Sequence, residues 1–239
     1  LRHVIITGGA GFIGSQVSAR LMKEKTHVTI LTRNPSAPRA TALAQQGCKV
    51  VACDLADERR IPRPDMLDPA DAMFHFAADV SVSSPGLRAA NVDGTSRALA
   101  LADALAIPSV VYASSIEAQG LGSDHEIPLR EDMACRPVSD YGQSKVQAEE
   151  LVTKWGSLPG HRALVLRIGN IYGPGSAWFL HPSLLALLGA TPIRAIWTKL
   201  RHRLFQPLFI DDLVEGISRA VDRRLAGTYN VTGEEPVTI

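Results

Sequence analysis

Tyr141 and Lys145 are the two side chains in this sequence whose types and spacing best suit proton transfer. Residues four apart on a helix lie on the same face, so a helix here brings the phenol beside the ammonium. A free phenol has a pKa of about 10, which makes it a poor acid–base catalyst near neutral pH. Because a neighbouring ammonium stabilises the phenolate, we expect the pKa of Tyr141 to be lowered and the phenol to exchange protons with a substrate. An exposed amphipathic helix face has the same spacing, so the pair needs support from other motifs.

A glycine-rich segment near the start of the chain provides a second chemical signal. Thr7-Gly-Gly-Ala-Gly-Phe-Ile-Gly14 follows a short apolar run and opens a helical pattern. Glycines allow a tight turn and a close approach of the backbone to a pyrophosphate, and the N-terminal amides of a helix favour negative charge. In this context the segment predicts a dinucleotide-binding loop rather than a turn without a ligand. The residues expected to contact the cofactor here are Gly8, Gly11, Phe12, Ile13 and Gly14.

Arg33 follows the second predicted strand, where NAD-selective folds often place an acid that binds the adenosine ribose. No acid stands in the segment Thr32-Arg-Asn-Pro35. The guanidinium could instead pair with a 2′-phosphate, which favours NADP(H) over NAD(H) as the cofactor. The alternative is a solvated arginine on a surface loop.

Alternating strand-like and helical patterns must position these residues. Val- and Ile-rich runs without polar alternation predict strands covered on both faces, and their alternation with helices predicts βαβ units. The predicted strands are residues 3–7, 27–32, 49–53, 72–76, 109–113 and 163–168, and the predicted helices are residues 13–23, 90–105 and 141–155. Asn91 and Asp140 lie near two predicted helix starts, where their side chains could cap the first amides.

The regular alternation of strands and helices ends near residue 168, and prolines then become frequent. We therefore expect an α/β Rossmann fold with a doubly wound parallel sheet over residues 1–168. Residues 169–239 are expected to form a smaller C-terminal substrate lobe, interleaved with the first domain, with a helix over 210–221 and a returning strand over 228–231. We also expect this lobe to be truncated, because the sequence stops just after a predicted strand and turn.

Three motifs together resemble the extended short-chain dehydrogenase/reductase superfamily over nearly the whole chain. They are the glycine spacing after a threonine, the segment Tyr141-Gly-Gln-Ser-Lys145, and Val-Val-Tyr-Ala-Ser-Ser-Ile-Glu-Ala-Gln-Gly120. The Ser-Ser-Ile-Glu pattern is most similar to the 3β-hydroxysteroid dehydrogenase-like branch of the NAD-dependent epimerase/dehydratase family. The resemblance implies that Ser115 hydrogen-bonds the substrate oxygen and Tyr141 moves the proton. Lys145 would tune Tyr141 and hold the nicotinamide ribose, while the cofactor supplies the hydride chemistry.

The same resemblance implies further binding residues at the ends of the strands. Asp54 and Leu55 would contact the adenine, and Phe76, Ala77 and Ala78 would form the loop that passes the adenosine and pyrophosphate. Asn91 would stabilise the central helix and sheet, and Asn170 would contact the substrate.

Three functions are compatible with these motifs. The serine and Arg33 segments favour an NAD(P)-dependent oxidoreductase that interconverts an alcohol and a carbonyl on an apolar substrate. The first alternative is an NAD-dependent nucleotide-sugar epimerase or dehydratase, because extended members share the motifs around Asn170 and Phe209. Glu117 falls where sugar dehydratases place an acid or base, but Ile116 replaces its polar neighbour, so we interpret Glu117 as a supporting residue. The second alternative, a non-catalytic dinucleotide sensor, is disfavoured because such relatives usually lack the tyrosine or the lysine.

Composition excludes several other classes of protein. A formal net charge of +1 gives no reason to expect nucleic acid as a partner, and no apolar run is long enough to span a bilayer. The three cysteines are scattered, which argues against a disulfide framework and for a reducing, cytoplasmic setting; a secretory leader is not expected either. We expect no metal site, since His, Cys and acidic residues do not cluster. The expected partners are a small-molecule substrate and, by analogy with the superfamily, a second copy of the chain.

Overall fold

Seven parallel strands form the central sheet of the protein. The computed structural model describes residues 1–81, 84–120, 128–176, 204–234 and 237–238. In sheet order the strands are β10 (Gly227–Val231), β6 (Arg162–Ile168), β5 (Ser109–Ser115), β4 (Ala72–His75), β1 (His3–Thr7), β2 (His27–Thr32) and β3 (Lys49–Ala52). The Rossmann sheet expected from the sequence is confirmed.

Helices cover both faces of this sheet. On one face lie α1 (Phe12–Lys23), α2 (Pro38–Gln45) and α5 (Ile210–Asp222), and on the other α3 (Gly94–Ala104) and α4 (Asp140–Gly156). Strand β1 shows why its sequence is apolar throughout: Val4 and Ile6 pack into the first core, whereas Ile5 packs into the second. Because both faces of the strand are covered, each of these positions must be apolar.

The order of the strands reverses at β1, which lies between β2 and β4. Ligands of doubly wound sheets bind at such a reversal, outside the carboxyl ends of the strands. The glycine loop follows β1, Arg33 follows β2, Asp54 follows β3, and Ser115 ends β5. The fold therefore collects the residues singled out in the sequence at one edge of the sheet.

The chain beyond the predicted boundary at residue 168 forms short strand pairs and then returns to the main sheet. Strand β7 (Ile171–Tyr172) pairs with β9 (Leu208–Phe209), and β8 (Leu204–Phe205) pairs with β11 (Val237–Thr238). Helix α5 corresponds to the helix predicted over residues 210–221, and strand β10 corresponds to the returning strand predicted over residues 228–231. Residues 177–203 of the predicted substrate lobe lie outside the described residues.

The helix predicted over residues 90–105 is wrong in its first turn. A π-helical segment, Ala89–Asp93, precedes α3, and the hydroxyl of Thr95 donates to the carbonyl of Asn91 over 2.6 Å. Asn91 does not cap a helix. Its Oδ1 accepts from the amide of Asp79 and its Nδ2 donates to the hydroxyl of Ser144, so it joins the loop after β4 to helix α4.

Two further local features differ from the sequence-based expectation. Asp140 is the first residue of α4 rather than its cap, because Ser139 accepts from the amide of Gly142 over 3.0 Å. Helix α2 was not predicted, since only Ala40 and Leu43 of its eight residues are buried and the apolar pattern is correspondingly weak.

A buried ion pair joins helix α4 to strand β6 beneath the sheet edge. The guanidinium of Arg167 donates to both carboxylate oxygens of Glu149, with an Nη2–Oε2 distance of 2.8 Å, and both side chains are less than one-tenth exposed. Ser114 also donates to Glu149. Arg167 reaches further, to the carbonyl of Glu131 and the sulfur of Cys135, and so holds the loop that leads into α4.

Replacing Arg167 by an apolar residue should therefore leave the carboxylate of Glu149 buried and unpaired. We expect Arg167→Leu to lower the free energy of unfolding by about 3–5 kcal/mol, measured by urea denaturation at pH 7. Arg219→Leu is the matched control, because Arg219 pairs with Glu215 on an exposed helix face and its loss should cost less than about 1 kcal/mol. Equal losses in the two variants would contradict this account.

Candidate active site

A cleft of about 340 Å³ lies at the edge of the sheet where the strand order reverses. Its volume falls in the usual range for ligand sites. The predicted site residues that line it are Gly8, Gly11, Arg33, Asp54, Leu55, Phe76, Ala77 and Ala78. Phe12, Ile13 and Gly14 lie in the first turn of α1, just behind this lining, and Asn91 is buried behind the loop after β4.

The glycine loop has the geometry of a phosphate cradle. Gly8 has φ +67°, and a Cβ there would lie 2.6 Å from the amide nitrogen of Ala77. A Cβ on Gly14 would lie 2.4 Å from the carbonyl oxygen of Gly8, so neither position accepts a side chain. Gly11 begins α1 without a side-chain cap, which leaves the first amides of the helix for an anion. These residues fit a dinucleotide pyrophosphate.

The predicted adenosine end of the cleft contains charges of both signs. Arg33 is exposed on the cleft wall. Hydrogen bonds from Ser81, and more weakly the charge of Arg33, lower the pKa of Asp79 across the cleft. Asp54 is already engaged, because its carboxylate pairs with Arg60 over 3.2 Å and accepts from the amide of Ala56.

Arg39, on α2, is a site-proximal residue that the sequence reasoning missed. Its Nη2 donates to the carbonyl of Gly175 over 2.6 Å, and its guanidinium lies 6.0 Å from the ring centroid of Phe12. It thereby joins the glycine loop to the segment after β7. The contact spans 136 positions in sequence, so no local pattern could have indicated it.

Tyr141 and Lys145 lie together on α4, as their spacing predicts. The ammonium of Lys145 is 5.6 Å from the ring centroid of Tyr141, and only 2% of Lys145 is exposed. Two of its three protons are directed into the fold, to the carbonyl of Ala113 over 2.8 Å and to the hydroxyl of Tyr112 over 3.3 Å. Burial lowers the pKa of Lys145 to about 8, against an opposing contribution from Glu149.

The expected lowering of the Tyr141 pKa is wrong for the protein chain by itself. Burial and, to a smaller extent, the charge of Glu117 raise the pKa of Tyr141 to about 12, and hydrogen bonding with Ser115 only partly opposes them. Two of the ammonium protons of Lys145 are bonded to Ala113 and Tyr112, so only the third remains for the phenol. A further positive charge is needed beside Tyr141 to bring its pKa towards neutrality.

The structure distinguishes the two neighbouring serines at the end of β5. Ser114 is 4% exposed and its hydroxyl is committed to Glu149. Ser115 is half-buried, accepts from the amide of Glu117 over 3.2 Å, and reaches the phenol of Tyr141. This placement supports Ser115 as the hydroxyl that faces a substrate.

Two other candidate residues are also located. Oε2 of Glu117 accepts from Ser139 over 2.7 Å, so this carboxylate supports the start of α4. Asn170 follows β6, and within the described part of the chain its side chain makes no hydrogen bond, while its carbonyl accepts from Leu208. Across the described residues, no group of three or more His, Cys, Asp or Glu side chains is arranged to hold a metal ion.

Comparison with known proteins identifies the family. A family model described as the NAD dependent epimerase/dehydratase family matches residues 4–232. UDP-arabinose 4-epimerase 1 of Arabidopsis thaliana is 27% identical over 185 residues, which are 72% of this chain and 43% of that protein. UDP-glucose 4-epimerase of Azospirillum brasilense is 28% identical over 211 residues, 82% of this chain and 60% of that protein. The matches thus span less than two thirds of either relative.

Solved structures share the fold. A crystal structure of UDP-galactose 4-epimerase superposes with a TM-score of 0.78 at 25% identity, covering 98% of this chain and 78% of that one. MoeE5 in complex with UDP-glucuronic acid and NAD gives a TM-score of 0.79 at 25% identity, covering 99% and 78%. Within the described residues, the helices are all too short or too polar to cross a membrane.

The burial of Lys145 predicts a pH-dependent stability. Below about pH 8 both the folded and the unfolded chain hold the proton on Lys145, and folding bears the cost of burying the charge. Between pH 8 and pH 10.5 the unfolded chain keeps that proton while the folded chain loses it, so stability rises with pH through this window.

Lys145→Met should lack this rise. We expect the unfolding free energy of the parent, relative to that of the variant, to increase by up to about 3 kcal/mol between pH 7 and pH 10. Taking the difference removes the contributions of tyrosines and cysteines that titrate in the same range. Denaturant unfolding at both pH values measures it, and a pH-independent difference would refute the assigned burial.

Proposed function

Because the chain belongs to the NAD-dependent epimerase/dehydratase family, within the extended short-chain dehydrogenase/reductase superfamily, we propose that it is an enzyme acting on a nucleotide-linked sugar. The proposed reaction is the reversible oxidation of a sugar hydroxyl to a ketone with a nicotinamide dinucleotide. The relatives that act on UDP-sugars favour this substrate over the apolar alcohol or ketone expected from the serine motif. The observation that supports it most directly is that Ser115 and Lys145 both approach Tyr141 at the carboxyl end of β5, the same edge of the parallel sheet as the glycine loop after β1.

In the proposed mechanism, the chain's own residues manage the substrate proton. Ser115 donates a hydrogen bond to the substrate oxygen, and Tyr141 takes the hydroxyl proton as the carbonyl forms and returns it in the reverse step. Lys145 has one proton that neither Ala113 nor Tyr112 accepts, and this proton is available to a ribose hydroxyl or to Tyr141. A dinucleotide held by the glycine loop and Arg33 would supply the hydride transfer, and its oxidised ring would add the positive charge that Tyr141 lacks in the chain alone.

Within the family, the residues favour epimerisation over dehydration. Elimination of water needs an additional acid or base near the reacting sugar. Glu117 is the acidic candidate, but its carboxylate accepts from Ser139 and its neighbour Ile116 is apolar. We therefore propose epimerisation, in which the hydride removed from the sugar carbon is returned to the opposite face of the same carbon. Simple dehydrogenation is the second candidate, because the Ser-Ile-Glu-Ala-Gln segment departs from the tyrosine that epimerases often place at Gln119.

The proposal keeps a preference for NADP(H), although the family is named for NAD. Arg33 lines the cleft after β2, and the residue before it, Thr32, is not an acid. A guanidinium pairs with a 2′-phosphate through charge-assisted hydrogen bonds, whereas an unphosphorylated ribose offers it no charge.

Two further aspects of the proposal concern the setting of the enzyme. Cys48, Cys53 and Cys135 are all free thiols, which supports a reducing, cytoplasmic environment. A homodimer through α3 and α4 is proposed by analogy with the superfamily alone.

The cofactor preference predicts a selective loss. Arg33→Ala should weaken NADPH binding by about tenfold or more, the loss of one charge-assisted pair, and leave NADH binding within about twofold. Titration calorimetry of both cofactors measures this, with Arg63→Ala, an exposed arginine away from the cleft, as the control. Equal affinity of the parent protein for NADH and NADPH would contradict the proposed preference for NADP(H).

The proposed function is tested with Tyr141→Phe. We expect turnover of a UDP-sugar to fall by about 10²–10⁴-fold, the usual contribution of a positioned acid or base, with cofactor affinity unchanged. Tyr229→Phe is the matched control, because the hydrogen bond of the Tyr229 hydroxyl within the described residues goes to the nearby carbonyl of Ala226. UDP-sugars, sterols and aromatic ketones are assayed in parallel. Turnover of sterols or ketones but not of UDP-sugars would overturn the substrate assignment, and near-full activity of Tyr141→Phe would overturn the mechanism.

A further inference from the structure

Tyr112 is a second phenol buried beside Lys145, and neither the sequence motifs nor the proposed mechanism assigns it a role. It lies on β5, is 1% exposed, and its hydroxyl accepts from the ammonium of Lys145 over 3.3 Å. The ammonium also lies 4.9 Å from the centroid of the Tyr112 ring, within the range of a cation–π contact. One residue therefore contacts the buried charge through both its hydroxyl and its ring.

A neighbouring imidazole also holds the ring of Tyr112. The ring stacks on the imidazole of His75, with centroids 5.5 Å apart and planes inclined by 25°. His75 is buried, and burial lowers its pKa to about 3, so the imidazole remains neutral. The hydroxyl of Tyr112 also interacts with the side chain of Thr95 on α3.

The directions of the hydrogen bonds around His75 follow from donor counting. The hydroxyl of Thr95 donates to the carbonyl of Asn91, so its only remaining capacity is to accept. Nε2 of His75, 2.9 Å away, must then carry the proton, and Nδ1 accepts from the hydroxyl of Thr7 over 2.6 Å. Thr7 is the last residue of β1 and lines the cleft, so this chain of contacts runs from the glycine loop to Lys145.

We propose that Tyr112 is a positioning residue that holds the ammonium of Lys145 in its charged form and directs its free proton towards the reacting end of the cleft. An ammonium has three donors, and Ala113 and Tyr112 take two of them. Fixing two donors fixes the direction of the third. His75 and Thr95 act through Tyr112, because they hold its ring and its hydroxyl in place.

The groups that face Lys145 come from three elements. Tyr112 is on β5, His75 is on β4, and Glu149 and Tyr141 are on α4 itself. His75 is neutral and Glu149 is paired with Arg167, so Tyr112 is the contact that a single conservative substitution can remove without adding or uncovering a charge.

The inference rests on the proposed role of Lys145 in catalysis, but its test does not use turnover. Lysine labelled with ¹³C at Cε is incorporated into the protein, and the Lys145 signal is assigned by its absence from Lys145→Met. The midpoint of its titration is then followed by NMR without added cofactor, in the parent and in Tyr112→Phe. The phenylalanine keeps the ring and removes only the hydroxyl.

We expect the midpoint of Lys145 to fall by about one pH unit in Tyr112→Phe, because a hydrogen bond that stabilises the charged form is lost. Tyr229→Phe should leave the midpoint unchanged. An unchanged midpoint in a folded Tyr112→Phe protein would overturn the proposal, whatever the outcome of the UDP-sugar assays. A lowered midpoint together with inactive parent protein would instead leave the positioning role intact and count against the proposed function.

A second variant covers the case in which Tyr112→Phe does not fold. Thr95→Val removes the hydroxyl that interacts with Tyr112 and keeps a side chain of nearly the same shape. We expect a smaller decrease of the Lys145 midpoint in the same direction, because the Tyr112 hydroxyl is then held less firmly. No decrease in Thr95→Val would overturn the proposal in that case.

Discussion

The constraint on which the site depends is the burial of one ammonium group. Lys145 is almost inaccessible to solvent, and a buried charge must be paired or hydrogen-bonded to be tolerated. The fold meets this requirement with the carbonyl of Ala113, the phenol of Tyr112 and, at longer range, the carboxylate of Glu149. All three residues belong to β5 or α4, the elements that also carry Ser115 and Tyr141, so the requirements of Lys145 fix how Ser115 and Tyr141 are placed relative to each other.

The remainder of the structure brings a dinucleotide cradle to this charged group. The parallel sheet places every strand's carboxyl end at one edge, and the reversal at β1 opens the cleft there. Gly8 lets the glycine loop pass close to Ala77, Gly14 lets the start of α1 pack against the carbonyl of Gly8, and no side chain caps the first amides of α1. The buried pair of Arg167 and Glu149 connects β6 to α4, while Ser114 of β5 also bonds Glu149 and Arg167 reaches the loop that leads into α4. The ion pair that stabilises the fold therefore joins the elements that carry the residues proposed for proton transfer.

Much of this could be predicted because its signals are local. The strands were recognisable from short apolar runs, the glycine loop from its context, and the Tyr141–Lys145 pair from helical spacing. The contacts of Tyr112, His75 and Thr95, by contrast, come from three elements distant in sequence, and so does the contact of Arg39 with Gly175. The pKa of Tyr141 was predicted in the wrong direction, because spacing reveals the neighbouring ammonium but not the burial of the phenol or where that ammonium points.

The central claim is that Tyr141 becomes an acid–base group only when a cationic dinucleotide ring joins Lys145 beside it. Tyrosinate absorbance at pH 7–7.5, where Lys145 keeps its proton, recorded as a difference spectrum before and after addition of oxidised NADP, tests this most directly. The account predicts that one tyrosinate appears on addition in the parent protein and none appears in Tyr141→Phe, since a nearby positive charge favours the phenolate. Absence of the new tyrosinate in a parent protein that binds the dinucleotide, or its presence in Tyr141→Phe, would contradict the account.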